Sequence, residues 1–318
     1  MDQITTPRHD APACPAYRTG RPAIAIRPFA GGGADWLAAL ETAGGGAMAQ
    51  HPGWGDLAVA AGRRVARLEL VLGARVIGLV QLTARAGLRL ASRGPVWLGP
   101  ADAGLRRAGL RALAWGGGPL LVTPEHPMAG FGLIPLITAR HRAIWDLAPA
   151  PDVLRAGLQG KWRNRLGAAE RAGLRVRVER DPGWLLRAEA AQRRARGYRG
   201  LPAGFVEAWG RAVPGGVLAL GVWRDGVPLA GMIFLRHGSW ASYHLGWTGA
   251  GGRRLGAHPL LLWQGALRLR AAGVRRLDLG DVDGARGAGL MRFKSGTGAE
   301  VRPLGATCLV LPGLVPPG

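Results

Sequence analysis

The chain has 318 residues, enough for two domains of ordinary size, and its 48% hydrophobic content can fill two cores, which excludes a disordered chain. Against 20 acidic residues stand 42 basic ones, a formal charge of +22 that suits RNA, pyrophosphate-bearing substrates or an acidic membrane face. Two cysteines, Cys14 and Cys308, make neither a disulfide framework nor a metal-ligand spacing, and no apolar run reaches the roughly 18 residues a membrane span needs. A cytoplasmic location is expected, with any membrane contact peripheral, at the inner face.

Residues 1–20, rich in proline and polar groups, read as a loose arm, and ordered structure is expected from "PAIAIRPF" onward. In "GARVIGLVQL" Gly73 and Gly78 bracket alternating apolar positions, the pattern of a hairpin turn and its second strand. "VWLG" at 96–99 then leads through a loop and the helical "LRRAGLRALA" to the strand "PLLVTP". Pro149 and Pro151 mark a division near residue 150, giving a first domain over 21–150 and a second over 151–318.

The second domain opens with "DVLRAGLQGKWRNRLGAAERAGLRVRV", where Leu158, Trp162, Leu166 and Ala169 fall on one helix face. Lys161 and Arg165 lie beside that stripe and Arg163 a short arc away, a grouping of cations suited to phosphate oxygens. Lysine is scarce: only Lys161 and Lys294 are found among the 42 basic residues. The pattern of the first domain then recurs. "GVPLAGMIFL" repeats the hairpin with Gly226 and Gly231, "YHLG" at 243–246 stands against "VWLG", and "HPLLLWQGALRLRAAG" leads to "VRRLDLGDV". Hairpin, strand, loop, helix and strand, written twice, mean a duplicated α+β domain.

In the closing stretch, Leu277 and Leu279 alternate with Asp278, a strand emptying into a turn that carries Asp281 and Asp283. Phe293 and Lys294 follow, and then "SGTG", whose glycines allow a close backbone approach to a ligand. No Ser, His and Asp triad and no reactive cysteine motif can be picked out.

"AMAQHPGWGDLAVAAG", "SRGPVW", "LQGKWRNRLGAAERAGL", "YHLGWTGAGGRRLGAHPLLLWQGALRLRAAGVRRLDLGDV" and "GLMRFKSGTGAEV" occur in order over roughly residues 45–305. Together they resemble the Fem-type family of peptidoglycan-bridge aminoacyltransferases and the Fem-like members of the GNAT acyltransferase superfamily. The resemblance implies two tandem GNAT-like domains, each a mixed sheet flanked by helices, and attack of an amine on an activated acyl group. It implies that Lys294 stabilises the developing oxyanion, where a compact ammonium suits better than a planar guanidinium. Lys161 and Arg163 would hold the acceptor's phosphates, with Arg165, Tyr243 and Phe293 as further substrate-binding candidates. Asp281 is the first candidate to take the amine's proton, beside Asp283, His244 and His258.

The implied donor is aminoacyl-tRNA and the implied acceptor the stem-peptide amine of a nucleotide- or lipid-linked peptidoglycan precursor, with no permanently bound cofactor. The alternative donor is acetyl-CoA. Members of that kind carry a phosphate-cradling loop at a helix start, here matched by "RRLGAH" with Arg253, Arg254 and Gly256 as donor-binding candidates. His258 stands where that loop ends in a small residue, which counts against the CoA reading. A basic RNA-binding protein without catalysis is the minor alternative, and no aromatic stacking platform supports it.

Overall fold

The computed structural model describes residues 23–197, 200–202, 204–282 and 284–313. The expected arm over 1–20, Cys14 and Asp283 lie outside the described residues. The first half forms β1 (Ile24–Pro28), α1 (Gly33–Thr42), a 3-10 turn at Met48–Gln50, α2 (Pro52–Ala60), β2 (Arg64–Leu72) and β3 (Arg75–Arg85). It continues with β4 (Leu88–Ser92), β5 (Val96–Trp97), α3 (Ala103–Ala114), β6 (Leu120–Thr123), β7 (Leu133–Ile137) and β8 (His141–Asp146). The second half forms α4 (Pro151–Ala156), α5 (Gly160–Arg171), β9 (Val176–Val178), α6 (Gly183–Arg196), α7 (Phe205–Ala212), β10 (Val217–Arg224) and β11 (Val227–His237). After these come β12 (Trp240–Thr248), α8 (Ala250–Arg254), α9 (Ala257–Ala271), β13 (Arg276–Asp281), α10 (Gly284–Ser295), β14 (Glu300–Pro303) and β15 (Thr307–Val310).

These strands make two mixed sheets with helices packed against them, the expected α+β class. One sheet runs β1-β2-β3-β4-β6-β15-β7, with β5 also on β3; the other runs β14-β8-β13-β12-β11-β10-β9. The two expected hairpins are β2–β3 and β10–β11, and both turns carry a left-handed glycine, Gly73 and Gly226, at φ +61° and +77°.

Sheet membership crosses the expected division at residue 150. β8 precedes it yet pairs with β13 and β14, and β15, far beyond it, pairs with β6 and β7. Burial explains the exchange. Ala143 and Trp145 of β8 sit in the second core, whereas Cys308 and Val310 of β15 sit in the first. Each large apolar side chain so buried contributes about 1.5–3 kcal/mol, so each strand settles where its apolar face is covered.

The helix stripe behaves as its spacing requires: Leu158, Trp162, Leu166 and Ala169 are all buried against Leu260, Leu261 and Ala266 of α9. Lys161, Arg163 and Arg165 stand exposed on the outer side of α5.

The duplication holds with one change of partners. "VWLG" stands against "YHLG" in sequence, but β5 alone does not take the place of β12. That place is shared by β4, which pairs antiparallel with β3 and parallel with β6, and by β5, which rejoins β3 further along. Between Thr83↔Leu90 and Leu79↔Val96 the chain advances four residues on β3 and six on the other side, so two are left over and the strand breaks. The gap is filled by the fully buried Gln50, whose Oε1 accepts from the Gln81 amide at 2.7 Å while its Nε2 donates to the Ser92 carbonyl at 2.8 Å. A side chain thus completes the ladder the backbone interrupts.

Candidate active site

The second copy treats the same place differently. β12 pairs in parallel with β13 only from Trp240↔Arg276 to Ser242↔Asp278, and then the two strands part. On the other side, the register with β11 slips by one between Ile233↔Leu245 and Phe234↔Tyr243, leaving His244 without an opposite residue. This bulge keeps β12 continuous but turns its faces. Tyr243 packs with the core under α5 and α9, whereas Leu245 and Trp247 pack with Leu185, Val206 and Trp209 on the opposite side. Among the described residues, the edge of β12 beyond Ser242 has no strand partner toward β13, so its peptide groups border the opening between the parted strands.

A cleft of about 330 Å³ lies between the sheets on one side of this opening, lined among others by Arg93, Arg140, Arg142, Ser242, Asp278 and Asp281. Arg93 comes from the break after β4. Its Nη2 donates to Glu125 at 2.6 Å and its Nη1 to Asp278 at 2.9 Å, joining the two units. Arg142 of β8 donates to both carboxylates, from Nε to Asp278 at 2.9 Å and from Nη1 to Asp281 at 2.8 Å; Arg140 adds a contact to Asp281 at 2.9 Å. Burial alone would raise the Asp278 carboxyl, but Arg142 and Arg93 overcome it and hold it down to about 2. Arg93 is held above its ordinary range: burial opposes its charge, and Glu125 and Asp278 outweigh the burial.

On the other side lies an aromatic group. The Tyr243 hydroxyl is 3.3 Å from His258 Nε2, His258 meets Phe293 edge-on at 4.9 Å, and Trp162 Nε1 donates to the Phe293 carbonyl at 3.0 Å. Gly246 makes room for this arrangement, since a Cβ there would lie 2.7 Å from the His258 ring. Burial lowers His258 to about 4, and burial together with Arg193 lowers His244 to about 4, so both imidazoles are neutral at ordinary pH.

Lys294 sits on the last turn of α10, beside the end of β13. It is 5% exposed, and its Nζ donates to the Asp281 carbonyl at 2.7 Å. Burial first, and then Arg142, lower it to about 8 against the pull of Asp281 and Asp278. Gly280, at φ +87°, leaves a notch directly above it: a Cβ at that position would lie 3.2 Å from Lys294 Nζ and 3.9 Å from Arg142 Nη2. Two cations converge on a space that only glycine keeps open. The notch lies beside the Lys294 ammonium and the Arg142 guanidinium, whose charge Asp278 and Asp281 already share.

Of the candidates read from the sequence, Lys294, Asp281, Tyr243 and Phe293 border this opening. Trp162, directly after Lys161, is hydrogen-bonded to Phe293, directly before Lys294, so the two lysines stand on adjoining helix turns. Asp281 divides its roles, its carbonyl on Lys294 and its carboxylate on Arg140 and Arg142. Arg253 and Arg254 are exposed on α8, away from the cleft lining, and Arg253 donates to the Thr248 carbonyl at 2.8 Å.

Three of the glycines singled out in the sequence lie against protein. Gly256 is left-handed at φ +69° and buried, and a Cβ there would be 2.8 Å from the Arg165 carbonyl oxygen, so its smallness admits α5 rather than an open phosphate cradle. Gly296 and Gly298 of "SGTG" likewise approach Trp162 and Gly157, not a ligand space.

Sequence reading missed Arg93, Arg142, Ser242 and Asp278. A carboxylate between two strand leucines, Leu277 and Leu279, was the usable signal, because a buried Asp278 requires buried cations. Nothing distinguished which of 40 arginines would supply them. Among the described residues, no group of three or more His, Cys, Asp or Glu side chains could hold a metal ion, and no helix is long and apolar enough to cross a membrane.

Residues 158–295 match the family model described as "Acetyltransferase (GNAT) domain". No curated protein matches the sequence. Among solved structures, the crystal structure of FemX superposes with a TM-score of 0.70 at 15% identity, covering 87% of this chain and 96% of that one. A conserved protein of unknown function from Bacteroides thetaiotaomicron gives 0.54 at 14% identity, over 86% and 92% of the two chains. L-PGS from Bacillus licheniformis gives 0.50 at 16% identity, over 89% and 92%. The fold is therefore shared along nearly the whole chain, and residues 158–295 match a GNAT domain model, the match on which the reading of the protein as an acyltransferase rests.

Proposed function

Starting from an acyltransferase whose second unit is a GNAT domain, we propose that the protein moves an aminoacyl group from aminoacyl-tRNA to a primary amine. The acceptor in this reading is the stem-peptide amine of a nucleotide- or lipid-linked peptidoglycan precursor. The observation that carries the reading is the notch over Gly280, where Lys294 and Arg142 converge at the open end of a parted strand pair. An amine attacking an ester carbonyl creates one oxyanion, and two fixed cations stabilise it without rearrangement. The acyl group is held at the opening and the amine enters from the cleft. As the C–N bond forms, the amine gives up a proton and the tRNA hydroxyl leaves with one, so no covalent enzyme intermediate is needed. Asp281 is the carboxylate on the cleft wall toward which the amine's proton can pass, directly or through water.

Two features support an RNA-borne donor over a CoA thioester. Packing of α5 on Gly256 brings the Arg165 carbonyl oxygen against the start of α9, a poor neighbour for a pyrophosphate, and the formal charge of +22 favours a large polyanion. Lys161, Arg163 and Arg165, exposed beside the aromatic group, are cations such a substrate could use. Peripheral contact with an acidic membrane face belongs to the same reading: β7 exposes Ile134, Leu136 and Ile137, and Ile137 also lines the cleft. The acetyl-CoA reading retains in its favour the match of residues 158–295 to an acetyltransferase domain.

Titration with charged tRNA, uncharged tRNA and acetyl-CoA at low and moderate salt separates the two. Saturable, salt-sensitive binding with a preference for charged tRNA is expected. Tight acetyl-CoA binding with indifference to charging would replace this reading with the CoA-dependent one.

A further inference from the structure

The last paired residue before β12 and β13 part is Ser242, and its hydroxyl is not free to choose its role. Ser242 Oγ lies 2.9 Å from His237 Nε2, and the opposite ring nitrogen, Nδ1, lies 3.2 Å from the Gly46 carbonyl oxygen. A carbonyl oxygen can only accept, so Nδ1 carries the ring proton. His237 is 2% exposed, and burial keeps the ring neutral, at about 3, so Nε2 has a lone pair and no proton. The Ser242 hydroxyl must then spend its single hydrogen on His237. What remains on Oγ is lone pairs, and Ser242 is part of the cleft wall at the point where the strands open.

We propose that Ser242 binds the acceptor amine, its oxygen receiving an N–H hydrogen bond from a primary amine in the cleft. The proposal rests on the cleft being the acceptor's side of the reaction. It goes further in naming the group that orients the nucleophile, and the reason that group accepts rather than donates. A hydroxyl with a free rotor would serve an amine or a carbonyl equally; one committed to His237 selects an N–H donor. With its N–H on Ser242, the amine's lone pair is left to point at the acyl carbon at the opening. His237 acts only through Ser242 and is a positioning residue. Gly46, which sets its tautomer, comes from the first unit, so this orientation depends on the two units being docked.

The test is a binding comparison with two probes, Nα-acetyl-lysine amide and its Nε-trimethyl form, which keeps the charge but has no terminal N–H. Both are titrated into the full chain as wild type, Ser242→Ala, Ser242→Thr and Ser242→Cys, with melting temperatures recorded. Wild type should prefer the primary amine by about tenfold, Ser242→Ala should lose most of that preference, and Ser242→Thr should recover it. If alanine does not fold, the cysteine variant, similar in size and a weak acceptor, carries the same comparison. An alanine or cysteine variant that folds and keeps the wild-type preference overturns the role of Ser242. Wild type binding neither probe overturns instead the placing of the acceptor in the cleft, and with it the basis of this proposal.

Discussion

Two copies of one strand arrangement sit in this molecule, and they part at the same place in opposite ways. In the first, the strand opposite β3 breaks into β4 and β5, two surplus residues loop out, and Gln50 fills the ladder gap. In the second, β12 stays whole, absorbs a single surplus residue at His244, and lets β13 diverge. The first break is closed by protein; the second remains an opening between a cleft and an aromatic group. The sealed copy still contributes to the site, because its break projects Arg93 onto Asp278 of the open one. A duplicated domain has thus become one closed framework and one open copy, the place proposed for the reaction, through a difference of one residue in how a strand disposes of its excess.

Removing the contact that joins the copies should have the largest effect. Asp278→Asn leaves Arg93 and Arg142 without their shared carboxylate, and breaking a buried pair in this way costs about 3–5 kcal/mol, measurable by denaturant unfolding. The sign with pH follows from its depressed pKa. The ionised carboxylate stabilises the fold above its unfolded value of about 3.9, and that contribution is lost as pH falls through about 2, so the variant should show a shallower acid limb.

Filling the notch of the open copy comes next. Gly280→Ala should slow transfer by about a hundredfold, as loss of an oxyanion contact does. The left-handed backbone adds a cost of about 1 kcal/mol in stability, which a melting curve would register separately. The sealed copy should respond in the reverse way: Gln50→Ala strands the Gln81 amide and the Ser92 carbonyl, costing about 1–3 kcal/mol while leaving turnover per folded molecule unchanged.

Smaller effects test the cations around the opening. Lys294, lowered to about 8, is charged below that pH and neutral above it, so turnover should fall as pH rises through 8, about tenfold per unit at the limit. Lys294→Arg should remove that limb even if its overall rate is low. Lys161→Ala with Arg163→Ala should raise the KM of the phosphate-bearing substrate several-fold and flatten its salt dependence, with kcat nearly unchanged, because both side chains are exposed and in the proposed reading bind substrate phosphates away from the reacting atoms.

Local order was legible in the sequence because local chemistry causes it. Gly73 and Gly226 announced their hairpins, and the spacing of Leu158, Trp162, Leu166 and Ala169 described the buried face of α5. Lysine's scarcity directed attention to Lys161 and Lys294, which do stand on adjoining turns. What could not be read depends on distant pairing. The exchange of β8 and β15 between sheets is decided by which core has room for Trp145 or Val310. Arg93 and Arg142 carry no signal in a chain so rich in arginine, and Gln50 acquires its meaning only beside the broken strand. Gly256, Gly296 and Gly298 look alike on the page whether a ligand or a helix approaches them; here it is protein that does.

The most direct test of the central claim, that transfer happens where β12 and β13 part, is the single-turnover rate from aminoacyl-tRNA to Nα-acetyl-lysine amide in wild type and Lys294→Met. Loss of about two to three orders of magnitude, with donor binding and melting temperature retained, is the predicted result. A Lys294→Met variant that transfers at the wild-type rate would place the chemistry elsewhere in the molecule.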